Sequence, residues 1–208
     1  MNAIVDQLVS AFFIFLRSAI GIALRPYETY RSIIRRQNVW ELFYIAAIMI
    51  MYFAGASLIK TAALRPFLLT ARFTTLAAGA TATYILAVSF LWYTTTRVGG
   101  NGSLRALAIG WAYTLLPTVI WFLMTSVLYV AVPPPRTTRF LGLLFSGIYL
   151  VFSTVLLYWK VILGYLTLRF AMRLDLGKIL LIATVSSPVF AVYSYIMYKL
   201  GIFRIPFI

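Results

Sequence analysis

The sequence predicts an all-α integral membrane protein: a bundle of five transmembrane helices preceded by N-terminal interfacial amphipathic helices. Three observations carry the prediction. Of 208 residues, 63% are hydrophobic and 11% charged, a composition that cannot supply a water-facing surface. Charge-free apolar windows recur at close to the roughly 20 helical residues needed to cross a hydrocarbon core about 30 Å thick. These windows are apolar on every side instead of alternating, which selects helices, with backbone bonds satisfied internally, over barrel strands.

The lead occupies residues 1–38. Its first stretch, Met1 to Leu24, has the apolar look of a signal peptide, but Asp6 stands where basic residues belong and Arg17 interrupts the run, so no cleavage is expected. A full crossing would set Arg17 in lipid at about 2.5–3.5 kcal/mol. An interfacial or re-entrant helix is therefore expected in preference to a sixth span. LRPYETYRSIIRRQ follows, with Arg or Glu at five of fourteen positions. Pro26 suits a first helical turn, and Tyr27, Tyr30, Ile33 and Ile34 form one apolar stripe from which Arg31, Arg35 and Arg36 turn away. Glu28 is placed to pair with Arg31 or to sit at the positive helix start. This reads as a helix lying in the membrane surface, its stripe in the acyl boundary and Arg25, Arg31, Arg35 and Arg36 as contacts for anionic lipid or a partner. The same arginines also read as a topology signal flanking the first span.

Residues 39–208 form the transmembrane domain, with spans at about 40–59, 73–94, 104–131, 140–160 and 178–199. In the connection TTTRVGGNGSLRAL, three glycines permit positive φ and Ser103 is placed to cap the third span. GGNGS lacks the lysine of a phosphate-binding loop and follows a membrane span, which argues against nucleotide. VPPPRTT, Val132 to Thr138, reads as a stiff turn ending the third span. After the fourth window Lys160 stands as a membrane-boundary cation, and two arrangements are open: a helix ending near Trp159 with a surface helix after it, or one long helix. Asp175 is placed to cap the last span. Eleven Lys and Arg fall on the side of the N-terminal lead and seven on the other, which puts the N-terminus in the cytoplasm and the C-terminus outside.

Chemistry is scarce in this chain. It has no Cys and no His, and its four carboxylates, Asp6, Glu28, Glu41 and Asp175, lie near helix starts or membrane boundaries. No catalytic residue, cofactor or metal site is expected, since paired acids or a proton relay require carboxylates inside the spans. The net charge of +14 is distributed through membrane-flanking segments, so anionic headgroups, at about 1 kcal/mol for each Lys or Arg near the surface, are the expected counter-charge and nucleic acid is not. LAAGATATY, Leu76 to Tyr84, offers small residues for close helix contact. In AIGWAYTLLP, Pro117 frees the carbonyl of Tyr113 one turn after Gly110, predicting a bent helix with a tyrosine at the bend.

With these elements in order, the chain resembles the Yip family, the Ypt/Rab-interacting membrane proteins. The resemblance rests on five spans, the Arg-Pro-Tyr lead, the turn VGGNGSLRAL and the pattern Gly110, Tyr113, Pro117, and it runs from about Leu24 to the end. It implies a membrane protein associated, in eukaryotes, with vesicle traffic, Rab-type GTPases and partner Yip proteins. The long polar N-terminal domain and the Asp-Leu-Tyr-Gly-Pro type motif of that branch are missing, which argues against a Rab-type GTPase and is similar to the compact prokaryotic members, implying a plasma membrane location. The expected function is that of a non-catalytic scaffold, membrane-organising factor or accessory subunit, in contact with anionic lipids and with another membrane protein or a second copy. The alternative is a permeation or lipid-translocation protein in which Gly110, Tyr113, Pro117 and Lys160 line a path for an anionic solute or lipid.

Overall fold

A computed structural model describes residues 2–60, 66–131 and 140–202. Its helices are α1 (Asn2–Leu24), α2 (Pro26–Arg36), α3 (Val39–Lys60), α4 (Pro66–Arg97), α5 (Leu104–Tyr113), α6 (Leu115–Ala131), α7 (Phe140–Ala171) and α8 (Leu176–Lys199), with no strand among the described residues. The expected all-α membrane architecture is present. Six helical segments, not five, are long and apolar enough to cross a bilayer. The sixth is α1, whose window Val5–Leu24 has a mean hydropathy of 1.8, equal to that of α8. Arg17 argued against a crossing, yet one cation in so apolar a run leaves the average high, and Arg17 is exposed on the outer face of α1, free to extend along it.

Local chemistry explains the helix boundaries. Pro26 opens α2, Glu28 lies in its first turn and Arg35 and Arg36 in its last, all favourable to the helix dipole. The helix closes at Gln37, which takes the left-handed conformation (φ 49°) and donates its N–H to the Ile33 carbonyl at 3.0 Å. Asn38 starts α3, its Oδ1 accepting from the Trp40 N–H at 3.1 Å. Ser103 caps α5, accepting from the Ala106 N–H at 3.1 Å. Asp175 occupies the cap position of α8 but makes no cap hydrogen bond; its exposed carboxylate lies 3.5 Å from Arg169 instead. Between the two arrangements open at Lys160, the chain takes the long helix: α7 continues to Ala171. The VPPPRTT turn lies outside the described residues.

The two main core clusters sit towards one end of the bundle. On α7 the buried side chains run from Leu156 to Ala171, with none described as buried before Leu156; on α6 they stop at Val119. At that end α5 packs against α7, α2, α3 and α4. The glycine-rich turn docks on the end of α7, the Asn101 N–H donating to the Met172 carbonyl at 3.2 Å. Gly102 passes so close that a Cβ built there would lie 1.8 Å from the Ala171 carbonyl oxygen. The small-residue stretch of α4 serves internal packing, with the Thr83 hydroxyl 2.7 Å from that of Tyr193 on α8 and the Tyr84 hydroxyl donating to the Ala108 carbonyl at 2.7 Å. Beyond this core, α7 and α8 expose long apolar faces suited to lipid.

Candidate functional site

Helix α2 is placed differently from a helix resting on lipid. Tyr30 and Ile33, the centre of its apolar stripe, have no exposed surface, and they pack with Ile22, Ile109, Tyr113 and Leu163 inside the protein. The Tyr30 hydroxyl donates to the Gly110 carbonyl of α5 at 3.1 Å. Burial pushes the Tyr30 phenol above its ordinary range, only partly offset by the Thr167 hydroxyl beside it, so it remains a protonated donor at physiological pH. Tyr27 alone of the four stripe residues stays largely exposed, its ring edge on Phe170 with centroids 4.9 Å apart. The stripe therefore belongs to the protein core and not to the acyl boundary, because the ends of α5 and α7 reach the same level and offer it a packed partner.

The four arginines of the lead separate into two kinds. Arg31 and Arg35 are exposed, and Arg25 pairs loosely with Glu28 at 3.9 Å, both side chains in solvent. Such a pair contributes little to stability. Arg36 turns inward. Its guanidinium donates to Ser18 Oγ at 2.8 Å and to Glu41 Oε1 at 3.4 Å, and the Glu41 side chain is fully buried. The second Glu41 oxygen accepts from the Tyr113 hydroxyl. The Arg36–Glu41 pair thus ties α1, α2, α3 and α5 together, α1 through Ser18 on the guanidinium and α5 through Tyr113 on the carboxylate. Sequence reasoning missed Glu41 as a member of this group; the available signal was an acid in the first turn of an otherwise apolar helix, since a carboxylate so placed must find partners.

Pro117 and Tyr113 mark a break in the third span. Helix α5 ends at Tyr113, Thr114 intervenes, and α6 begins at Leu115 with Pro117 buried in its first turn. Thr114 closes the break by donating its N–H and hydroxyl to the Trp111 carbonyl, at 3.0 and 2.7 Å. Gly110 leaves no gap: Thr167 and Ile34 fill the space where its side chain would be, at 2.9 and 3.1 Å from a built Cβ. Lys160 lies elsewhere, with its ammonium donating to Thr118 Oγ1 at 3.0 Å. Both line an internal cavity of about 300 Å³, as do Trp111, Thr114 and Leu115, whereas Gly110, Tyr113 and Pro117 do not. The structure therefore does not assemble Gly110, Tyr113, Pro117 and Lys160 into one path.

A basic lead, a glycine-rich turn docked on a long helix and a span broken near Pro117 all lie within the stretch that a family model matches. The Yip1 domain model covers residues 20–198. The chain belongs to the Yip1 family. No curated protein and no solved structure matches it. Within this Yip1 domain, no group of three or more acids that could hold a metal occurs among the described residues. Of the carboxylates, Glu28, Glu41 and Asp175 are each within 4 Å of an arginine, and Asp6 lies exposed on α1.

Proposed function

We propose that this Yip1-family protein is a non-catalytic membrane protein that works by contact, organising anionic lipid and a partner membrane protein or second copy at its basic end. The observation that supports it is the way that end is built. Arg31 and Arg35 on α2, Arg97 ending α4, Arg105 opening α5, and Arg173 and Lys178 beside the α7–α8 turn are all exposed. The helix ends that carry them are locked to one another by the Gly102 and Tyr30 contacts. Cations held on a rigid frame lose little entropy when they meet phosphate groups. The end also carries most of the eleven Lys and Arg counted on its side of the membrane, so it faces the cytoplasm in this reading, with the end of α8 outside.

The test separates the exposed arginines from the structural one. In nanodiscs of uncharged lipid, R31Q combined with R35Q is expected to weaken association with vesicles rich in an anionic lipid by roughly tenfold, given about 1 kcal/mol for each charge less screening. Thermal stability should not move. Unchanged association, or equal binding to uncharged vesicles, would overturn the lipid part of the proposal.

A further inference from the structure

Lys160 has an environment that the basic end does not explain. It lies on α7 eleven residues before the helix end at Ala171, roughly 16 Å at 1.5 Å per residue, too far for its side chain to reach the surface there. Its ammonium has three donors, and one hydrogen bond, to Thr118, is made to protein. No described carboxylate pairs with it, for Glu28, Glu41 and Asp175 are paired with Arg25, Arg36 and Arg169, and Asp6 lies exposed on α1. An unpaired cation inside an apolar bundle is unfavourable unless something completes it.

The cavity around it has the shape of that complement. Its walls come from α3 to α8 and are almost wholly apolar, with Phe53, Phe90, Phe122 and Phe190 among them. The remaining polar surface includes the buried hydroxyls of Thr83, Thr114, Thr118 and Ser194. Leu86 on α4 and Val189 on α8 line the cavity and are largely exposed, so the space between those two helices is the entrance that the proposal assigns. Near that entrance the Thr83–Tyr193 hydrogen bond, at 2.7 Å, clasps α4 to α8. At about 300 Å³ the cavity lies at the small end of the range for ligand pockets, about 300–1,000 Å³, which suits one acyl chain better than two.

We propose that this cavity binds a single-chain anionic amphiphile, its carboxylate or phosphate on the Lys160 ammonium and Thr118 hydroxyl and its chain in the apolar space behind the α4–α8 opening. A site with one cation and otherwise apolar walls discriminates by charge at one atom and by length along the rest. Free inorganic anions gain the first interaction without the second. The proposal is independent of the basic end, since none of Arg31, Arg35 or their neighbours lines the cavity.

The test is native mass spectrometry of the full chain in an uncharged detergent, titrated separately with palmitate, a monoacyl glycerol phosphate and a monoacyl phosphocholine of the same chain length. One-to-one adducts with the two anions, at least tenfold favoured over the zwitterion, are expected. The anion that binds tighter identifies the headgroup as carboxylate or phosphate. Millimolar inorganic phosphate should not displace either. K160Q should abolish the charge preference while leaving residual chain binding, and K160R should retain it. Equal binding of anion and zwitterion by the unaltered protein, displacement by inorganic phosphate, or an undiminished preference in a folded K160Q protein would each overturn the proposal, and the first two need no variant to fold.

Discussion

R36Q is expected to lower stability by up to about 3 kcal/mol, the lower end for a buried pair because Arg36 is partly exposed, and well beyond what R31Q or R35Q does from the same helix. Removing one partner of a buried ion pair typically costs about 3–5 kcal/mol because the remaining charge is left without compensation. Here that charge is Glu41, whose side chain has no exposed surface, and the Tyr113 hydroxyl would be its chief remaining donor. The converse change is milder. E41Q keeps an acceptor for Tyr113 and leaves behind Arg36, whose side chain is 36% exposed and can turn to water. Adding E41Q to R36Q should therefore recover most of the lost stability, a sign of coupling that independent sites do not give. Thermal unfolding of the four proteins in one uncharged detergent measures the cycle. If R36Q behaves like R31Q, or if E41Q adds to its damage, the network does not hold the lead to the bundle.

G102A should be comparably severe for a different reason. The added methyl would lie 1.8 Å from the Ala171 carbonyl oxygen, a backbone atom that cannot rotate away. Either the glycine-rich turn or the end of α7 must then move, breaking the Asn101–Met172 hydrogen bond and parting Leu107, Ala171 and Met172, which share a core. Overpacking of this kind costs about 1–3 kcal/mol, and a clash between two backbones belongs at or above the upper end. Gly147 on α7 supplies the control, since a Cβ there meets nothing within 4 Å, and G147A should change stability by less than about 1 kcal/mol. Equal tolerance of both substitutions would mean that the turn is not docked as described.

The membrane class, the helices and most of their boundaries were legible in the sequence because they follow from run length, proline, glycine and capping residues, all local signals. The Yip family pattern was legible through order along the chain. What local signals could not supply was the destination of a face. The stripe of Tyr30 and Ile33 is equally suited to lipid and to protein, and only the arrival of Gly110 and Thr167 from distant parts of the chain decides between them. Arg31 and Arg36 both read as cations turned away from the stripe and both keep exposed surface, yet only Arg36 reaches a buried carboxylate, Glu41, across the bend at Gln37. Lys160 lay at the edge of an apolar window, where a boundary role was reasonable; its position within a single long helix became evident only because α7 runs on to Ala171. Helix α1 shows the limit of a local penalty: one arginine argues against a crossing unless it snorkels, and Arg17 is exposed on a helix otherwise long and apolar enough to cross.

The spacing of the core residues along the chain bears on how the molecule is made. Tyr30 leaves the ribosome long before Thr167, by on the order of ten seconds at about 5–20 residues per second. Until Gly110, and then Leu163 and Thr167, are made, the apolar stripe of α2 has only part of its final surroundings, with Ile22 of α1 already present, and its amphipathic character suits the uncovered remainder to a bilayer surface. The membrane thus acts as a temporary host for a helix whose final neighbours are still being synthesised, and Ile179 and Ile182, near the end of the chain, are the last pieces that let the basic end close.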